Sequence, residues 1–239
     1  MGLDRKESKA INQGHGLVKY PGSIKDLDLS ELRYLKMLGG EPFINSEYLE
    51  VLQSIDLTNV TVMLTTNNSV FPKDWIDTIL KCDQVRIVMS LDGVDDVGEF
   101  VRYGMKQSRF TKNLMKWKEI SDDYEHVVCS FNYVFHILNS FNLNKTIEYT
   151  DRTGWRFYVD FLTTPEYLNV QHLPSNLKQE IKQNITKCAY ADAIKNYLDD
   201  GMYNENHMKD FIKYVNFLEQ RTILPAECEY IYEKILYYN

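Results

Sequence analysis

Five short apolar runs, each bounded by turn residues and separated by stretches of helical periodicity, constrain this chain more than any other feature. They are Tyr34–Leu38, Val60–Thr65, Val85–Met89 with Leu91 just beyond, Val127–Phe135 and Trp155–Leu162. Runs of this length suit buried strands, and their alternation with helical patterns is the signature of βα units around a parallel sheet. Helices are expected over Glu47–Ser54, capped by Asn45 or Ser46, over Lys73–Leu80 behind Pro72, over Thr111–Ile120, and, with a weaker pattern, over Asn142–Tyr149. From Pro174 onward the pattern is helical, with Leu177, Ile181 and Ile185 spaced by four and a wide apolar face from Phe211 to Leu218. Parallel strands need right-handed crossovers, so successive units curl into an open or closed barrel or a doubly wound sheet. In either case the C-terminal strand ends form the functional rim.

At 239 residues and 44% hydrophobic content, the chain can build one sizeable α/β domain, or a domain with a helical appendage, without disulfides. Its formal charge of -7 argues against nucleic-acid binding through general phosphate attraction. The first residues are charged rather than apolar, unlike a signal peptide, and no run reaches the roughly 18 apolar residues of a membrane span. The four cysteines, Cys82, Cys129, Cys188 and Cys228, lie far apart and form no secreted-type framework, which fits a reducing compartment and a cytoplasmic location. The sequence contains no GxSxG elbow, HExxH helix or GxxxxGK[ST] loop, so hydrolase, zinc-protease and nucleotidase chemistry lack their parts.

Polar exceptions cluster where the rim is expected. After the first run, Gly39 and Gly40 permit positive φ and close backbone approach, Glu41 adds a carboxylate, and Pro42 fixes the exit. The same residues also suit a plain strand-to-loop turn. The second run ends in Thr65-Thr66-Asn67-Asn68, which supplies donors and acceptors or an ordinary Asx turn. The third ends in Ser90-Leu91-Asp92-Gly93, where a hydroxyl and a carboxylate share one side of an extended segment and could face a ribose, or could cap a turn. Asn132 sits among Phe131, Tyr133, Val134 and Phe135, an amide that needs a partner if buried. Four successive strands carrying such exceptions outweigh the plain reading of each alone.

In order and type, these residues resemble the radical S-adenosylmethionine (SAM) superfamily. There a Gly-Gly-Glu-Pro turn after the second barrel strand engages the amino group of the methionine moiety of SAM, and Gly39, Gly40, Glu41 and Pro42 match it. Thr66-Asn67-Asn68 resembles the Thr-Asn-Gly that commonly ends the next strand, with Asn, the best non-glycine residue for left-handed backbone, in the last place. Ser90-Leu91-Asp92-Gly93 is close to Ser-Ile-Asp-Gly, whose serine and aspartate lie near the ribose side of the cofactor. Glu99 to Tyr103 and Phe110 to Trp117 resemble the segment that follows in the branch with a twitch domain. The resemblance runs from about Leu32 to about Leu177. It implies SAM as cofactor, with Gly39, Gly40, Glu41, Pro42, Thr66, Asn67, Ser90, Asp92 and Asn132 around it, and a partial (β/α) TIM-like barrel lacking its first strand unit, followed by C-terminal helices. It also implies reductive cleavage of SAM to a 5′-deoxyadenosyl radical in a complete protein fed by an external electron donor. The substrate class stays open among peptide, carbohydrate and small metabolite, and no catalytic residue is assigned.

The departure from the family is large. Its members hold a [4Fe–4S] cluster on a CxxxCxxC loop upstream of the Gly-Gly-Glu-Pro turn, and no cysteine precedes Cys82 here. The chain alone is therefore expected to be inactive. It is read as beginning downstream of the cluster loop, the other readings being a SAM-binding relative or a degenerate, non-catalytic barrel that binds a peptide or protein. Residues 1–29 are expected as loop or short helix, 30–173 as the partial barrel, and 174–239 as a helical tail. Cys82, Cys129 and Cys228 sit in apolar or helical contexts where a buried structural thiol is the default. His126 and His136 would share a strand side but have no third ligand, and His15, His172 and His207 are isolated in polar segments, so no metal site is expected. Tyr230, Tyr232, Tyr237 and Tyr238, with Ile231, Ile235 and Leu236, are expected to pack the last helix onto the barrel or to form a partner-binding face.

Overall fold

The computed structural model describes residues 27–186, 188–220 and 222–238, so most of the expected N-terminal polar segment, including His15, lies outside the described residues. The strands are β1 (Tyr34–Met37), β2 (Thr61–Thr66), β3 (Gln84–Ser90), β4 (Val127–Phe135) and β5 (Arg156–Phe161), forming one sheet in the order β1-β2-β3-β4-β5. Every neighbouring pair is parallel. An order that never reverses belongs to a barrel-type winding and not to a doubly wound sheet, in which the strand order turns back at a switch point. This is the α/β partial-barrel architecture expected from the strand pattern.

Among the described residues five helices lie in the crossovers before β5, the second a single turn: α1 (Ser46–Gln53), α2 (Ile76–Ile79), α3 (Asp95–Val101), α4 (Gln107–Asp123) and α5 (Leu143–Asp151). After β5 come α6 (Ser175–Asn184), α7 (Ala191–Asp199), α8 (Glu205–Glu219) and α9 (Ala226–Tyr238). Asn45 caps α1 as expected, its Oδ1 accepting from the Glu47 amide at 3.0 Å. The expected Lys73–Leu80 helix is instead a 3-10 turn, Lys73–Trp75, running into the single turn of α2.

Strand alternation divides the sheet into two unlike faces. One carries Val62, Leu64, Val85, Ile87, Val127, Cys129, Phe131, Tyr133 and Phe135, all buried. The buried side of the helices joins these side chains in two apolar clusters. The first gathers Phe43, Leu52, Trp75, Leu114 and Trp117 under β1 to β4; the second gathers Leu177, Ile194, Phe211, Ile231 and Ile235 under β4 and β5. Burying each such side chain contributes about 1.5–3 kcal/mol. The last helix packs through Cys228, Ile231 and Ile235, whereas Tyr237 is 91% exposed and does not seat it.

The opposite face is half-buried or exposed along every strand. Its side chains follow the register Lys36, Met63, Arg86 and Val128 in one row, Thr65, Val88, Ser130 and Arg156 in the next, then Ser90, Asn132 and Tyr158, and last Val134 and Asp160. A concavity of about 1000 Å³ lies over it, lined by Lys36, Leu38, Thr65, Arg86, Ser130, Asn132, Arg156, Tyr158 and Asp160 among others. A parallel sheet is ordinarily covered on both faces, so a polar, concave face opposite a complete helical layer marks the inside of an incomplete barrel.

Candidate cofactor-binding rim

Every residue singled out at the strand ends lies along the C-terminal edge of this sheet. The turn after β1 places Gly39 at φ 88° and Gly40 at φ 48°, conformations that side chains disfavour. A Cβ at either position would meet nothing within 4 Å, so the glycines serve backbone geometry and their outer side is open.

Glu41 turns the other way. Only 7% exposed, its carboxylate accepts from Thr66 Oγ1 at 2.8 and 2.9 Å and from the Asn67 amide at 2.9 Å, tying the turn to the end of β2. Its carboxylate anchors the turn, and the Gly39-Gly40 backbone is what the turn displays. Burial raises the Glu41 pKa above the usual carboxylate value, against the lowering effect of the bonds from Thr66, Asn67 and Phe43. Pro42 is buried at the start of a 3-10 turn, and the next residue, Phe43, is buried with its ring 5.2 Å from Trp75 in an edge contact and 5.7 Å from Trp117 in a stack. The turn is thus clamped on both sides, by hydrogen bonds at Glu41 and by aromatic packing at Phe43.

Thr66 is buried and serves two partners, since its Oγ1 also accepts from the Asn68 amide at 2.9 Å. Asn67 is half-buried, and its Oδ1 accepts from the Ser69 amide at 2.9 Å as an Asx turn. Asn68, not Asn67, takes the left-handed conformation, at φ 56°. It is fully buried, donates from Nδ2 to the Phe110 carbonyl at 3.0 Å, and its own carbonyl accepts from Asn113 Nδ2 at 2.9 Å. Asn68 therefore locks the β2 end to α4.

Ser90 and Asn132 are directly paired across β3 and β4 on the concave face, both half-buried, with Tyr158 next to Asn132 on β5. Asn132 is accordingly a lining residue of the concavity and not a core amide. Asp92, two residues beyond Ser90, is committed within the protein: Oδ1 accepts from the Val134 amide at 2.9 Å and Oδ2 lies 2.8 Å from Arg102 Nε. These contacts hold the turn after β3. Behind it, the buried Asn139 donates to the Asp92 and Val134 carbonyls at 2.9 and 2.8 Å and accepts from the His136 amide at 2.9 Å. Asn139 was missed from sequence; the signal was an amide-rich segment immediately after a strand, Asn139 to Asn144.

The cysteines stay apart. Cys82 and Cys129 belong to one apolar cluster, Cys228 is buried in the other, and Cys188 packs at its margin. Burial pushes the Cys82 thiol up to about 11 and those of Cys129 and Cys228 up to about 12, the condition of inert structural thiols. Among the described residues no three cysteines converge as cluster ligands would, whereas Glu166, His172 and His207 do come together, against the isolation expected for the two histidines.

The fold and rim together define an open parallel α/β barrel segment with a polar interior and a glycine turn at its edge. No family model matches the chain, and no curated protein matches it. Among solved structures it is similar to Streptococcus suis SuiB bound to S-adenosylmethionine, at 17% identity and a TM-score of 0.45 over 79% of this chain and 37% of that one. SuiB bound to precursor peptide SuiA gives 18% identity and a TM-score of 0.46, over 79% of this chain and 36% of that one. Native anSMEcpe with bound AdoMet and Cp18Cys peptide gives 14% and 0.43, over 80% of this chain and 49% of that one. The chain thus spans 36% to 49% of the length of these structures, and at such identities and scores the likeness decides nothing about function.

Proposed function

We propose that this chain is the SAM-binding barrel portion of a radical SAM-type protein of the twitch-domain branch, comprising a polar segment 1–29, a partial barrel 30–173 lacking a first strand unit, and a helical tail 174–239. The observation that carries the reading is the bond from Thr66 and Asn67 to Glu41, which joins the first two motifs of the series into one unit at the sheet edge. Ser90 and Asn132, paired beside it on the concave face, continue the same rim.

The residues present fit the methionine end of SAM. The open outer side of Gly39-Gly40 leaves room for an ammonium to approach backbone carbonyls, and the buried, doubly clamped Glu41 and Phe43 hold that backbone in place before the ligand arrives. Asn67, Ser90 and Asn132 are the polar groups nearest in the series for the nucleoside, with Asp92 positioning the β3 exit through Val134 and Arg102. When bound, SAM supplies a carbon–sulfur bond for reductive cleavage. The cysteines do not fit a [4Fe–4S] cluster, so no step through one is derived from this chain. The substrate class is expected among peptides, carbohydrates and small metabolites, the electron donor is external, and the compartment is the reducing cytoplasm. No helix among the described residues is long and apolar enough to cross a membrane.

Calorimetric titration of the full chain with SAM tests the reading. Saturable binding at one site is expected, weakened at least ~10-fold, or ~1.4 kcal/mol, in Glu41→Ala; absence of binding at millimolar SAM would overturn it. A second reading, a non-catalytic barrel that binds a peptide or protein, is favoured by the exposure of Tyr237 (91%) and Leu236 (44%) on α9. It predicts no SAM binding in the same titration.

A further inference from the structure

Far from the rim in sequence, three potential ligands from three separate segments meet beside the C-terminal helices. Glu166 lies in the 3-10 turn Glu166–Leu168 after β5, His172 in the 3-10 turn Val170–His172, and His207 in the first turn of α8. His207 Nε2 is 2.7 Å from Glu166 Oε2, and the two imidazole rings are 4.5 Å apart between centroids at 38°. One ligand atom from each of the three residues lies within 4.8 Å of the others.

We propose that this cluster is a binding site for a divalent ion of the zinc class, which clips the segment after β5 to the start of α8. The donor set is two imidazoles and a carboxylate, a combination that zinc accepts with a fourth position left to water. Metal–ligand arms of ~2.0–2.1 Å put neighbouring donors roughly 3.3 Å apart, which side-chain rotation reaches from the present separations. His172 Nδ1 faces the Met202 carbonyl at 3.4 Å; donating there fixes the tautomer whose Nε2 lone pair is free for the ion. The backbone is already tied locally, since the Asn204 amide donates to the His172 carbonyl at 3.3 Å and Asn204 Oδ1 caps α8 at the Asn206 and His207 amides.

The Glu166–His207 contact engages two of the three side chains. The positive end of α8 disfavours a cation by itself, and the Glu166 carboxylate is the group that compensates it. An ion uses all three side chains in one geometry, which the ion pair alone does not.

Zinc titration of the full chain, under reducing conditions and followed by calorimetry, tests the assignment. One ion per chain is expected, with affinity falling at least ~10-fold in His172→Ala and in Glu166→Gln, the lower bound set by the effect of losing even an outer partner of a ligand. Glu166 has a 60% exposed side chain, so Glu166→Gln leaves packing intact and decides the matter if His172→Ala folds poorly. Cys188→Ser is expected to bind zinc like the unaltered chain. No stoichiometric binding, unchanged affinity in Glu166→Gln, or loss of binding in Cys188→Ser would each overturn the site.

Discussion

Asn68 carries a positive φ of 56° and, at the same time, a buried hydrogen bond to the Phe110 carbonyl. The two roles separate by substitution. Asn68→Gly keeps the backbone at ease and loses only the bond, an expected cost of about 1 kcal/mol. Asn68→Ala adds the left-handed strain of a Cβ, roughly another 1–2 kcal/mol. Denaturant unfolding of both variants is expected to rank alanine below glycine; the reverse order would show that the positive φ does not set the cost at this position. The conformational preference of this residue was legible in sequence, because it depends on Asn itself. Its partner was not, since Phe110 and Asn113 reach it only through the docking of α4. The same holds for Glu41, whose acidic character was visible but whose direction depends on Thr66 sitting in the neighbouring strand. Glu166, His172 and His207 were hidden more fully, because their meeting is decided by how α8 folds back onto the loop after β5.

Strands were the most legible elements. Each apolar run fell on an observed strand, and β4 matched its expected bounds, because a strand buried on one face announces itself locally. Ends shifted by a residue where polar rim residues such as Thr66 and Ser90 still belong to the ladder. Helix α3 escaped notice because it is short, has Asp95 and Asp96 at its start and carries Gly98 inside it. That glycine has a local reason: a Cβ there would lie 2.4 Å from the Gly93 carbonyl oxygen. Gly98→Ala must therefore push α3 away from the β3 exit, and a loss of about 1–3 kcal/mol is expected from overpacking, despite the higher helix propensity of alanine. A stability equal to or above the unaltered chain in thermal unfolding would refute the close approach. Helix α7 lay within the expected helical tail but was not delimited there, since its apolar side, Ile194 and Leu198, is completed only by the partners it packs against.

Across the molecule, acid lability has an identifiable source in His136, which is buried where β4 meets the following 3-10 turn. Burial chiefly lowers its pKa from 6.5 to about 4, with Asp92 opposing and Arg102 adding to the shift. The unfolded chain then binds more protons than the folded one between these values, so this contribution is complete above pH 6.5 and is lost as pH falls toward 4. Its size is roughly 3 kcal/mol. His136→Gln is expected to flatten the fall of stability across that window, whatever its effect on stability at neutral pH; equal slopes in the two proteins would exclude the histidine. Strand β4 imposes a further condition on the whole. Its Val127, Cys129 and Phe131 belong to one apolar cluster and its Tyr133 and Phe135 to the other. Neither cluster can open without stripping cover from a strand that the other also needs. The two apolar clusters are therefore coupled through one shared wall and are expected to melt as a single cooperative unit, although their helices are separate.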